Sequence, residues 1–284
     1  MLVALLAVQT LAGGAPPVGG TGHGVPVQQP AAAPEAALHR PFDQLLDLYV
    51  RDGYVYYGAL RSDRAKLDRY LASLAGAEGV DAWPRERQIA LWLNAYNALV
   101  LQAVVTGYPI RGHAAAYPAD SVRQIPGAFE RTVHRVAGRS LTLDAIEKTV
   151  LASFKDPRVF FALGRGAVGS GRLRSEAFMP GRLEGQLKDV AAEVVTRPAL
   201  FRIDQMARQV TVSAIFGWRE ADFIAAYGAN ADPRFANRSP IERAIVAFAL
   251  PNLLPAETQF VNQNNFQVSY GTFDWRLNDL AVRR

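Results

Sequence analysis

A glycine-rich loop, GRGAVGSG, at residues 164–171 is the first candidate for a phosphate-binding or catalytic site. The loop follows a predicted strand and matches the G-x-G-x-x-G pattern of dinucleotide-binding proteins. That site requires the third glycine to lie in a helix whose first amides meet the pyrophosphate, but here Ser170 and Gly171 continue the loop. A valine at position 168 also departs from the G-x-S-x-G turn of serine hydrolases. The pattern therefore predicts neither of these two sites.

Positive charge is concentrated around the same loop. Five arginines lie in it or near it: Arg158, Arg165, Arg172, Arg174 and Arg182. Glycine amides and guanidinium groups together can bind an anion. The alternative is a surface loop that carries arginines without a ligand.

Two asparagines, Asn94 and Asn97, interrupt the apolar run at residues 89–105. The run is short and polar enough to favour a core helix over a membrane span. At a spacing of three, both amides share one helix face, and a buried amide without a partner costs about 1–3 kcal/mol. They are expected either to fix the backbone of a loop or to line a ligand pocket.

Composition narrows the possible partners. The 284 residues carry 31 basic and 26 acidic side chains, a net charge of +5 that permits an anionic ligand without indicating nucleic acid. There is no cysteine, which excludes disulfides, thiolate zinc sites and iron–sulfur clusters. His113 and His134 have no carboxylate at metal-ligand spacing. We predict no metal, no cofactor and no nucleic-acid partner.

The first 40 residues have a composition of their own. The apolar run MLVALLAVQTL and the small residues after it predict a signal segment at residues 1–15. Residues 16–40, rich in alanine, proline and glycine, predict a disordered tether in which His39 is solvated. Together they predict an exported protein, periplasmic or extracellular, with no stable membrane span.

Residues 41–284 predict a single helix-rich α+β domain with a central apolar helix, a hairpin and a small sheet. A capping box of Ser239 and Glu242, with Pro240 between them, predicts the start of a late helix. The other predicted elements are helices from Pro41, after Ser62, and over 84–106, 143–154, 180–195 and 220–227, a hairpin at 131–142, strands at 158–163 and 209–213, and an extended segment at 265–275.

An ordered series of short motifs resembles the domain-of-unknown-function family 547, known largely from bacteria and plants. The motifs are DGYVYY (52–57), WLNAYNA (92–98), SVRQIPG (121–127), VAGRSLTLD (136–144), DPR with FAL (156–163) and DWRLND (274–279). The resemblance implies one domain over most of the chain and, since the family has no assigned activity, no particular reaction.

Departures from the family pattern fall on three positions. Members typically carry histidine where this chain has Lys148, and cysteines where it has Arg165 and Ser170. The resemblance implies thiol chemistry for those members, since an imidazole can generate a thiolate nucleophile. Arginine is never deprotonated and lysine is a poor base at neutral pH, so this chain would lack that mechanism.

Three hypotheses follow. The first is a non-catalytic binding or scaffolding domain for an anionic small molecule or an envelope component. The second is a hydrolase or transferase with Ser170 as nucleophile and Lys148 as base, which requires a lowered lysine pKa. The third is an anion-dependent enzyme that uses the loop arginines.

The candidate catalytic residues are Lys148 and Ser170, and the candidate ligand-binding residues are Asn94, Asn97, Glu147, Arg165 and Arg174. From the resemblance, we expect Lys148 and Arg165 to meet in one cleft. Because two cations repel each other, they should bind an anion or pair with Glu147 or Glu176.

Overall fold

A computed structural model describes residues 34–229 and 231–282, so the predicted signal segment and most of the predicted tether lie outside the described residues. Its centre is the helix α4 (Arg85–Gly107), in which fifteen residues are buried. By length and composition α4 could cross a membrane, but 83% of its most apolar window is buried inside the fold. The burial of α4 on nearly every face explains why its sequence is apolar all round.

Helices surround α4 on several sides, and α1, α2, α3 and α6 all contact it. The helices other than α4 are α1 (Pro34–Tyr49), α2 (Tyr57–Ser62), α3 (Arg64–Ala75), α5 (Leu143–Ala145), α6 (Leu183–Thr196), α7 (Ala214–Trp218), α8 (Glu220–Phe223), α9 (Pro240–Ala249) and α10 (Pro255–Asn262). The predicted capping box of Ser239 and Glu242 is present and begins α9. A π-helical segment, Ile146–Leu151, continues α5 and carries two of the candidate site residues.

Three small sheets complete the described fold, and the predicted α+β class is confirmed. The strands are β1 (Val50–Arg51), β2 (Tyr54–Val55), β3 (His134–Val136), β4 (Arg139–Leu141), β5 (Phe201–Asp204), β6 (Gln209–Val212) and β7 (Gln267–Tyr270). The predicted hairpin is β3–β4, where Ala137 and Gly138 both have a positive φ as a tight hairpin turn requires. In the third sheet, β6 pairs antiparallel with β5 and parallel with β7.

The predicted strand at residues 158–163 is wrong. The segment Pro157–Phe161 is a 3-10 helix, because Pro157 occupies its first turn and the Asp156 side chain accepts a hydrogen bond from the Arg158 amide. Its apolar residues are buried on all sides, and this produces the same continuous apolar run as a central strand.

The N-terminal boundary of the fold is also different from the prediction. Helix α1 begins at Pro34 and contains Pro41, so the last residues of the predicted tether are helical. His39 is buried rather than solvated, and its Nδ1 lies 2.8 Å from the Tyr70 hydroxyl. Burial, assisted by the charge of Arg87, lowers the pKa of His39 to about 4.

The His39 environment predicts a loss of stability in mild acid. The unfolded chain binds a proton near pH 6.5 and the folded chain only near pH 4, so unfolding becomes easier as pH falls through this interval. The loss should reach about 3 kcal/mol, at 1.36 kcal/mol for each pH unit of difference. Urea unfolding of His39→Gln at pH 7, 5.5 and 4.5 should give a flatter pH dependence than wild type; parallel curves would contradict the assignment.

Candidate functional site

The candidate centre is built around a buried ion pair between Glu147 and Arg165. Glu147 lies on the π-helical segment and Arg165 in the glycine-rich loop, and both are almost fully buried. Arg165 donates from Nη2 to Glu147 Oε1 at 2.6 Å and from Nε to Oε2 at 3.2 Å. Such a two-pronged contact matches the planar fork of a guanidinium to a carboxylate.

The remaining polar groups of the pair are also satisfied. The Tyr96 hydroxyl donates to Glu147 Oε2 at 3.2 Å, and Arg165 Nη1 donates to the Phe160 and Leu163 carbonyls. Burial raises the pKa of Glu147, but the charge and hydrogen bonds of Arg165 outweigh burial and hold that pKa below its ordinary value. The centre is therefore a closed ionic network at neutral pH.

The two candidate asparagines bind backbone groups of a neighbouring segment, which is the first of the two roles expected for them. Asn97 donates to the Ala162 carbonyl at 3.1 Å and accepts from the Gly164 amide at 2.8 Å. Asn94 does the same with both backbone groups of Phe178, at 2.8 and 2.9 Å. These hydrogen bonds hold two parts of the arginine-rich segment against α4: Ala162 and Gly164 at its beginning, and Phe178 further along the chain.

Ser170 and Lys148 are not brought together. The Ser170 hydroxyl accepts from the Arg165 amide at 3.1 Å and lines a small separate cavity of about 110 Å³ beside Gly53. Lys148 is 60% exposed and pairs with Asp144 at 2.6 Å. Among the hydrogen bonds of the described residues, none joins Lys148 to Ser170. A serine–lysine arrangement needs that contact.

Lys148 and Arg165 do line one cavity, of about 180 Å³, as we expect from the family resemblance. The same cavity is lined by Arg123, Phe129, Asp144, Glu147, Trp218, Arg219 and Trp275. Five of these come from other parts of the chain and are missing from the predicted site: Arg123, Phe129, Trp218, Arg219 and Trp275. No spacing pattern links them, so only the fold shows that they converge.

Each of the four cations that line this cavity has a carboxylate partner, and Lys148 pairs with Asp144 and Arg165 with Glu147. Arg219 pairs with Asp222 at 2.9 Å and Arg123 with Glu130. The Nε atoms of Arg123 and Arg219 are both buried, and neither has a hydrogen-bond partner in the described part of the chain. Their guanidinium groups lie instead against aromatic rings, 4.4 Å from the Phe129 ring centroid for Arg123 and 3.8 Å from that of Phe160 for Arg219.

Arg174 lies away from this cavity. It pairs with Glu176 and Glu193 and lines a second, polar cavity of about 310 Å³ with Arg172 and Arg182. Arg158 is also occupied, since it pairs with Asp156 and Glu184. The loop arginines therefore do not form one anion site, and Arg158 and Arg174 each pair with a carboxylate two residues away and with a carboxylate of helix α6.

The fold and the site define a helix-rich α+β domain with a buried glutamate–arginine pair beside a cationic and aromatic cavity. Residues 80–195 match the family model described as protein of unknown function, DUF547, which confirms the predicted resemblance over that range. No curated protein and no solved structure matches the chain. The matched range contains Glu147, Lys148 and Arg165, whereas Trp218, Arg219 and Trp275 lie beyond it.

Proposed function

We propose that this chain is an exported, non-catalytic binding domain that takes a small anion in its 180 Å³ cavity. The observation that carries the proposal is the Glu147–Arg165 pair. Where the resembled family has a thiol, this chain has a guanidinium that is already engaged with a carboxylate and two carbonyls. Such a group supplies neither a nucleophile nor a base.

Anion binding is supported by the cations that line the cavity. Lys148 is exposed enough to turn toward a ligand, and Arg219 lines the cavity while its contact with Asp222 is made by Nη2. Arg165 is already engaged with Glu147 and two carbonyls, so we assign it to stabilising the loop. We assign Lys148 and Arg219 to binding the anion. Charge-assisted hydrogen bonds of this kind are stronger than neutral ones.

Sulfate titration by calorimetry at low ionic strength tests this proposal. Lys148→Gln should weaken binding about fivefold, as expected for the loss of about 1 kcal/mol from one charged contact. Lys188→Gln is the matched control, because Lys188 also pairs with a carboxylate four residues earlier but lies on α6. Equal affinities for the two variants, or no sulfate binding by wild type, would contradict the proposal.

Export is supported by the sequence pattern of residues 1–15 and 16–40. Fractionation of cells that express the full chain should recover a shortened protein outside the cytosol. Unprocessed protein confined to the cytosol would contradict this part of the proposal.

A further inference from the structure

We propose that the anion bound in this cavity is a hexuronate, a sugar ring that carries a carboxylate. This inference rests on the proposed anion-binding function and names its ligand class. It is carried by the aromatic residues that adjoin the cations, by the carboxylates among them and by the size of the cavity.

An aromatic surface adjoins the cationic residues. Trp218 is 47% exposed, and its ring lies 4.8 Å from Phe273 and 6.1 Å from Trp275, centroid to centroid. The planes of the two indole rings differ by only 22°. The face of an aromatic ring is electron-rich and attracts the slightly positive C–H groups on one face of a pyranose. Trp218 and Trp275 both line the cavity, but the guanidinium group of Arg123 lies over the Trp275 ring at 4.7 Å, so Trp218 is the ring on which a sugar would stack beside the cations.

The cavity also presents hydrogen-bond acceptors beside its donors. Asp144 and Glu147 line it together with Lys148 and Arg219. Sugar hydroxyls donate to carboxylates and accept from guanidinium groups, so a polyhydroxylated anion makes more hydrogen bonds with this lining than a simple anion such as sulfate. A polyhydroxylated ring with one carboxylate therefore satisfies both kinds of lining group.

The size of the cavity fits the same ligand. The volume of 180 Å³ corresponds to about six water molecules at ~30 Å³ each, which suits one sugar ring rather than several.

Binding of D-glucuronate, D-glucose and acetate to the full-length protein tests the inference by calorimetry or ligand-observed NMR. We expect glucuronate to bind at least about tenfold more tightly than either glucose or acetate. Trp218→Ala should remove the advantage over acetate and leave sulfate affinity within about twofold of wild type. Tyr270→Ala is the matched control, because Tyr270 is 46% exposed on the same surface but does not line the cavity.

Two results would overturn the inference and leave the proposed function intact. One is sulfate binding that depends on Lys148 while glucuronate binds no better than acetate. The other is equal loss of glucuronate affinity in Trp218→Ala and Tyr270→Ala. Absence of binding by sulfate and by all three ligands would instead overturn both the inference and the proposed function.

Discussion

Arg165→Met is expected to lower the free energy of unfolding by about 4 kcal/mol at pH 7. Removing one partner of a buried ion pair leaves the other charge desolvated, which typically costs about 3–5 kcal/mol. Glu147 would keep only the hydrogen bond from Tyr96. Urea unfolding followed by circular dichroism measures the change.

A double variant separates this cause from simple loss of packing. Glu147→Leu combined with Arg165→Met removes both charges from the buried site, so it should recover at least about 2 kcal/mol of the loss. If the double variant were as unstable as the sum of the two single variants, the buried charge would not be the cause.

Gly171→Ala is expected to cost about 3 kcal/mol or more. A Cβ at this position would overlap the carbonyl oxygen of Phe161, so the loop or the 3-10 helix must move.

Gly185→Ala provides the control for Gly171→Ala. A Cβ at Gly185 meets nothing within 4 Å, and the residue lies in helix α6. The exchange should therefore stabilise the protein by about 0.5–1 kcal/mol through helix propensity. Thermal unfolding of the two variants should show opposite shifts, and a Gly171→Ala protein as stable as wild type would contradict the described loop.

Local sequence signals predict the elements that depend on local physics. The helix over 84–106, the hairpin turn at Ala137 and Gly138 and the capping box at Ser239 are set by periodicity, positive φ and a side-chain cap. The error at 158–163 has a tertiary origin, because a 3-10 helix and a strand show the same apolar run when every side is buried. Strand β6 agrees with the strand predicted at 209–213, whereas its antiparallel partner β5 is absent from the prediction.

Only some contacts of the candidate site could be predicted from the sequence, namely those within one segment and those that the family resemblance implies. The meeting of Lys148 and Arg165 follows from the family positions, and pairing of Arg165 with Glu147 was one of two open alternatives. The separation of Ser170 from Lys148 depends on the loop, whose serine hydroxyl turns back to the Arg165 amide. Trp218 and Arg219 reach the cavity through packing between distant segments, which no spacing along the chain reveals.

The position of a bound anion in a crystal tests the proposed anion binding most directly. Crystals of the full-length protein, grown without sulfate and soaked in selenate, would locate the anion by the anomalous signal of selenium. We expect selenate in the 180 Å³ cavity, with its oxygens within hydrogen-bond distance of Lys148 and Arg219. Selenate bound only elsewhere, for example beside Arg172 and Arg182, would contradict it.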